Sequence, residues 1–108
     1  MSYQIEFYNQ QVQTLIESWP AGIAASFVRI TEQMATTGPN LGQPYTKAMG
    51  KGLFEIRAKG QEGIGRAFYC VLIGQRIIIL HGFIKKTQAT PNKELKIARK
   101  KLNEISDV

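Results

Sequence analysis

The sequence predicts a small α+β fold with the element order β-α-α-β-β-β-α, in which a mostly antiparallel sheet packs against a helical hairpin and a C-terminal helix. Three patterns predict this class: an N-terminal β-like stretch followed by two amphipathic stretches, three β-like runs between residues 53 and 83, and a return to helical spacing after residue 90. A chain of 108 residues suits a single domain, residues 1–108, with a core that needs no disulfide or metal.

The N-terminal third predicts one strand and a helical hairpin. Residues 3–7 alternate apolar and polar side chains, as a half-buried strand does. Asn9 is placed to cap a first helix, which Pro20 ends, and residues 23–34 carry the apolar stripe of a second helix. The apolar residues of the first helix recur at i, i+3, i+4 and i+7, namely Val12, Leu15, Ile16 and Trp19.

The remainder predicts a loop, a three-stranded meander and a helix. Residues 38–52 are rich in glycine and proline without sustained periodicity, so we expect a loop. The last helix is expected to take Thr90 as its N-cap and Pro91 as its first residue. The strands are predicted at Leu53–Ala58, Arg66–Ile73 and Arg76–Phe83, with turns at Gly60–Gly63 and Gly74-Gln75.

Composition excludes several classes of protein. One cysteine and one histidine cannot form an internal disulfide or supply the four ligands of a structural zinc site, and we expect no cofactor. The longest apolar run, Ile77–Leu80, is far short of a membrane span, and the N-terminus lacks the pattern of a signal peptide. These features predict a reduced, cytoplasmic protein with no membrane partner.

The positive charge is confined to the second half of the chain. Residues 1–46 hold Arg29 as their single basic residue against three glutamates, whereas residues 47–108 hold 13 basic and 5 acidic residues. Segregated charge of this kind favours a polyanionic partner, nucleic acid above all, although a solvated basic surface without a partner has the same composition.

Counting residues back from the predicted turns gathers the candidate site on one face of the sheet. The count places Arg57 opposite Arg66, Arg66 opposite Phe83, and Phe68 opposite His81. Lys85 extends the same face as a further basic residue, and Cys70, Leu72, Ile77 and Ile79 are expected to continue it as core.

Several of these residues allow a structural interpretation as well. Two arginines directly opposite each other repel, so an anion should lie between them, either Glu55 or a phosphate of a bound RNA. His81 suits proton transfer near neutral pH, but a lone histidine in a strand is more often a hydrogen-bonded structural residue. The lysines at helical spacing, Lys93, Lys96 and Lys100, form either a solvated stripe or a surface that faces phosphates.

The absence of several catalytic and nucleotide-binding motifs limits the reactions that the protein can be expected to catalyse. The sequence has no P-loop, no dinucleotide-binding glycine motif and a single aspartate, Asp107, which makes a Ser-His-Asp triad implausible. Cleavage of RNA by its own 2′-hydroxyl fits these limits, because the substrate supplies the nucleophile and the protein supplies orientation, charge and proton transfer.

Three segments resemble a known family: residues 52–57, residues 66–69, and residues 80–91 followed by Glu94 and Ala98. They occur in the order and spacing of the HigB-type, phage-associated branch of the RelE/ParE toxin superfamily. The resemblance implies a RelE-like fold and a toxin of a type II toxin–antitoxin pair. Members similar to RelE and HigB are typically mRNA endonucleases that act on the translating ribosome, and a cognate antitoxin, often of helix-turn-helix type, neutralises them.

The resemblance also assigns roles. Arg66 matches the arginine that contacts the scissile phosphate, Arg57 matches a basic residue that ends its strand, and Lys86, with Lys85 beside it, falls near the basic position after the last strand. The lysines that RelE carries on the strand reading Leu53–Ile56, and its C-terminal tyrosine, have no match here. Proton transfer is therefore left to His81, Lys85, Lys86 or Glu55, and base stacking to Phe68 or Phe83.

Three functions remain open at the level of sequence. The first is a metal-independent, ribosome-dependent mRNA endonuclease that inhibits translation. The second is a toxin of the same fold that acts on DNA gyrase, as in the ParE branch. The third is an RNA-binding module without catalytic activity, whose affinity would fall steeply with salt.

Overall fold

The computed structural model describes residues 2–85 and 91–106. Among these residues no helix has both the length and the apolar character that crossing a lipid bilayer requires. The elements, in chain order, are β1 (Gln4–Phe7), α1 (Gln10–Glu17), α2 (Ala21–Thr37), β2 (Thr46–Gly50), β3 (Leu53–Gly60), β4 (Gly63–Leu72), β5 (Arg76–Lys85) and α3 (Asn92–Ser106).

The strands form one sheet in the order β1-β5-β4-β3-β2. β1 runs parallel to β5 and the other neighbours are antiparallel, so the predicted α+β class with a mostly antiparallel sheet is confirmed. β2 corrects the expectation of a loop over residues 38–52. Its sequence, Thr46–Gly50, gives little strand signal because only Thr46 is buried while most of its neighbours face solvent.

The helical hairpin of α1 and α2 covers one face of the sheet. The Asn9 side chain accepts a hydrogen bond from the Val12 N–H at 2.9 Å, which is the predicted cap. Trp19, between the helices, packs where two strands carry glycine: a Cβ at Gly65 would lie 2.7 Å from the indole. Leu15, predicted on the apolar stripe, instead stays 43% exposed.

Helix α3 covers the opposite face. Its Ala98 and Leu102 pack with buried residues of three strands, among them Leu53, Phe68 and Leu80. The helix begins at Asn92, one residue after the predicted start, and the Pro91 carbonyl accepts the N–H groups of Glu94 and Leu95. The predicted N-cap, Thr90, lies outside the described residues.

The loop that joins β4 to β5 has three residues, 73–75, where the sequence predicts a turn of two. Because side chains alternate along a strand, this slip of one residue turns Ile77 and Ile79 toward the helical hairpin. They therefore do not share the face of Cys70 and Leu72, as the sequence predicts.

A β-bulge in β5 reverses the slip. Phe68 pairs with His81, but Tyr69 pairs with Ile79, which leaves Leu80 as an extra residue. Beyond the bulge the predicted register is present, and the candidate side chains of β4 and β5 share the α3 face of the sheet.

Candidate active site

A small cavity of about 120 Å³ opens where the loop before β2 meets β2, β3 and β4. Its volume equals that of about four water molecules at about 30 Å³ each, which suits one small anion better than a whole nucleotide. We call it the cationic pocket. Its lining residues are Gln43, Pro44, Thr46, Lys47, Glu55, Arg57 and Arg66.

A buried ion pair forms one wall of the cationic pocket. Arg66 Nη1 donates to both carboxylate oxygens of Glu55, at 2.9 and 3.0 Å. Glu55 is 2% exposed and Arg66 8% exposed, so water screens this pair far less than it screens a surface salt bridge. Glu55 is one of the two anions that the sequence allows between the arginines, the other being an RNA phosphate, and it contacts Arg66.

The remaining charges around the pocket are positive. Arg57 lies directly opposite Arg66 on the neighbouring strand, as counting from the turn predicts, and Lys47 lies opposite Glu55 on β2. Both side chains belong to exposed residues. With Arg66, two further cations thus line the cavity against one carboxylate, an excess that favours an anion from solution.

Lys85, at the end of β5, adds a fourth cation beside the pocket. Desolvation, followed by the charges of Arg66, Arg57 and Lys47, lowers the pKa of its ammonium group, while Glu55 opposes this shift. A lysine in such a field gives up its proton more readily than one free in water. Lys86, the other candidate lysine, lies outside the described residues.

His81 contacts a different partner. Its Nε2 lies 2.7 Å from a carboxylate oxygen of Glu94 on α3, and both side chains are largely buried. This contact joins the first turn of α3 to β5 and corresponds to the hydrogen-bonded structural histidine that the sequence allows.

The two phenylalanines lie in the core rather than in the open. Phe68 is 0% exposed, and its ring stacks on that of Phe83 with centroids 5.9 Å apart. A fully buried ring offers no face to an RNA base, so the structure does not present Phe68 for the stacking that the sequence analysis expects. Phe83, 9% exposed, is also nearly enclosed.

The three candidate lysines of α3, Lys93, Lys96 and Lys100, are exposed, but none lines the cationic pocket. Lys96 and Lys100 line a separate groove of about 620 Å³ along the helix, together with Leu95, Arg99 and Asn103. Their placement fits either a solvated stripe or a surface that faces phosphates.

A second groove, of about 380 Å³, adjoins the cationic pocket and was not predicted. It shares Pro44 and Arg57 with the pocket, and its other lining residues are Ser26, Arg29, Tyr45 and Lys59. Tyr45 and Lys47 were missed in the sequence analysis because both belong to the stretch that it interprets as a loop. The one available signal was Arg29, the single basic residue of an otherwise acidic half.

Comparison with solved structures identifies the fold as RelE-like. The chain is similar to a chain of the crystal structure of the archaeal RelE–RelB complex from Pyrococcus horikoshii OT3, with a TM-score of 0.61 and 22% sequence identity. The similarity covers 82% of this chain and all of that one.

Residues 14–103 match the model of a protein family described as phage-derived, Gp49-like proteins. The chain therefore belongs to this family. No curated protein sequence matches it significantly.

Proposed function

We propose that this protein is the toxin of a type II toxin–antitoxin system, close to the HigB-like branch of the RelE superfamily, and that it cleaves mRNA on the translating ribosome. The observation that carries the proposal is the cationic pocket, in which three basic residues and one carboxylate converge on a cavity the size of a small anion. Membership of a phage-derived family and the RelE-like fold support it.

In the proposed complex the scissile phosphate occupies the cationic pocket. Arg57 and Arg66 contact its oxygens from neighbouring strands, and Lys47 adds charge from β2. Glu55 holds the Arg66 guanidinium in place before RNA binds, so that the donors need not be ordered during the reaction. Fixed positive charge of this kind stabilises the extra negative charge that develops on phosphorus in the transition state.

The chemistry follows from the groups around the pocket. The 2′-oxygen of the RNA attacks phosphorus and its proton passes to Glu55, which is the one carboxylate among the described residues that lines the cavity. The bond from phosphorus to the 5′-oxygen breaks, and that oxygen takes a proton from Lys85, whose pKa is lowered by its surroundings. The products are a fragment that ends in a 2′,3′-cyclic phosphate and a fragment that begins with a 5′-hydroxyl.

We further propose that a cognate antitoxin covers this surface in the inactive complex. A solved structure similar to this chain is that of a RelE–RelB complex. A partner that places acidic residues over the cationic pocket would compete with RNA for the same charges.

The experiment is a translation reaction in a cell extract with a reporter mRNA. We expect the wild-type protein to cleave the message and Arg66→Lys to lose at least about a hundredfold in rate, since lysine cannot reproduce the fork of a guanidinium. Lys85→Arg keeps the charge but cannot give up a proton at neutral pH, so it should lose activity as Lys85→Ala does.

Arg76→Ala is the matched control. This arginine makes an exposed ion pair with Glu6, of which the Nε···Oε2 distance is 2.8 Å, and does not line the cationic pocket. Its removal should leave cleavage unchanged. Intact mRNA with the wild-type protein would contradict the proposal, and inhibition of DNA supercoiling without RNA cleavage would point to gyrase instead.

A further inference from the structure

The groove beside the cationic pocket has the composition of a surface that binds single-stranded nucleic acid. Three of its lining residues are cations, Arg29 from α2 and Arg57 and Lys59 from β3, and no carboxylate of residues 2–85 or 91–106 lines it. It runs along the part of β3 that lies beyond the start of β2. There the Tyr45 carbonyl accepts a hydrogen bond from the Arg57 N–H at 2.8 Å.

Tyr45 supplies an aromatic surface in this groove. It is 49% exposed, the highest exposure of any aromatic residue among those described, in contrast to the enclosed rings of Phe68 and Phe83. Accessible aromatic rings among cations are the usual stacking platforms for unpaired bases, because every base has a π-face whatever its identity.

The position of the groove adds to its composition. Pro44 and Arg57 belong to the lining of both the groove and the cationic pocket, so the two cavities adjoin each other. A single-stranded RNA offers a phosphate for the pocket, and a base and a further phosphate for the adjoining groove.

We propose that this groove is a nucleotide subsite: Tyr45 stacks on the base adjacent to the phosphate in the cationic pocket, and Arg29 and Lys59 contact the next phosphate. The subsite rests on the proposed function in taking RNA as its ligand, but it makes a separate claim, since it concerns binding rather than cleavage. It also replaces Phe68 as the residue that stacks a base.

The test uses a fluorescein-labelled hexauridylate with 2′-O-methyl groups, which the proposed mechanism cannot cleave. Anisotropy titrations of the full chain should show that Tyr45→Ala weakens binding about 5- to 150-fold, whereas Tyr45→Phe stays within about twofold of the wild type. With an abasic residue in the stacked position, wild type and Tyr45→Ala should bind equally.

The phosphate contacts have their own readout. Arg29→Ala and Lys59→Ala should each reduce the slope of log K against log salt by about 0.7.

Ile73→Ala is the matched control for loss of an exposed apolar side chain, because Ile73 is 99% exposed in the β4–β5 loop and lines neither cavity. Its affinity should equal that of the wild type.

Two results would overturn the subsite: failure of the wild-type protein to bind the probe, or equal affinity of Tyr45→Ala and wild type. Failure of the proposed function looks different, because a protein that binds the probe through Tyr45 but never cleaves mRNA retains the subsite and loses the nuclease.

Discussion

At the scale of single residues, the pair formed by Glu55 and Arg66 has two consequences. The buried carboxylate neutralises part of the charge of Arg66 and fixes the direction of its guanidinium, which prepares the cationic pocket for an anion. Burial also makes each partner depend on the other, because a buried charge without its counterion is costly. A loss of activity in a single variant of this pair therefore needs to be separated from a loss of folding.

We expect Arg66→Ala to lower the free energy of unfolding by about 3–5 kcal/mol, because it leaves the buried Glu55 carboxylate in the pocket wall without its counterion. The double variant Glu55→Leu with Arg66→Met removes both charges and should lose much less. Urea unfolding of the two variants checks this. An additive loss, with the double variant the least stable of all, would contradict the account of the pair.

Residues of the site could be predicted from the sequence only where a recognisable turn fixed the pairing of their strands. Counting from the turn at residues 60–63 was enough to place Arg57 opposite Arg66, because an antiparallel register is fixed once its turn is known. Lys47 could not be placed in this way. It lies opposite Glu55 on a strand whose sequence carries no alternation, so nothing local marks it as a neighbour of the pocket.

At the scale of elements, the first turn of α2 is stabilised by a residue of the turn between β3 and β4. Pro20, at the N-cap position, makes no side-chain hydrogen bond to the helix. Instead Glu62, in the turn between β3 and β4, accepts the Gly22 N–H at 2.9 Å. This contact links the helical hairpin to the turn that sets the register of Arg57 and Arg66.

The Gly22 N–H is also the main reason why the pKa of Glu62 lies below its ordinary value of 4.5. A lowered pKa in the folded state means that the stabilisation is present above pH 4.5 and is lost as the pH falls through the folded value. We expect Glu62→Gln to be less stable than the wild type at pH 7, and the difference to shrink below pH 4.5.

Urea unfolding at a series of pH values measures this difference. Glu32→Gln, which changes an exposed glutamate on α2 outside its first turn, is the control and should follow the wild type. If the free energies of unfolding of wild type and Glu62→Gln differ by the same amount at pH 7 and pH 3, the ionised carboxylate is not the stabilising form.

The β4–β5 hairpin shows why strand sequences alone did not give every face correctly. The two-residue turn expected at Gly74-Gln75 is a loop of three, and the extra residue Leu80 restores the register farther along. Both Ile79 and Leu80 are apolar and fully buried, so the hydrophobic pattern of β5 does not reveal which face each one takes. Contacts with the two helical layers, one on each face, decide that.

At the scale of the whole molecule, the segregation of charge along the chain becomes a division of roles. The near-neutral first half supplies the hairpin of α1 and α2, and the basic second half supplies the strands that line the cationic pocket. Of the 13 basic residues in the second half, Lys47, Arg57 and Arg66 line the pocket where a polyanion is proposed to bind, and five others lie on α3. Arg29 is the exception in the first half, and it lines the adjoining groove.

The central claim is that the cationic pocket cleaves RNA through the RNA's own 2′-hydroxyl. Its most direct test is to map the ends of mRNA recovered from a translation reaction with wild type, Arg66→Lys and the Arg76→Ala control. We predict 2′,3′-cyclic phosphate and 5′-hydroxyl ends with wild type and control, and their loss with Arg66→Lys. Intact mRNA with the wild type, or fragments that begin with a 5′-phosphate, would contradict the claim.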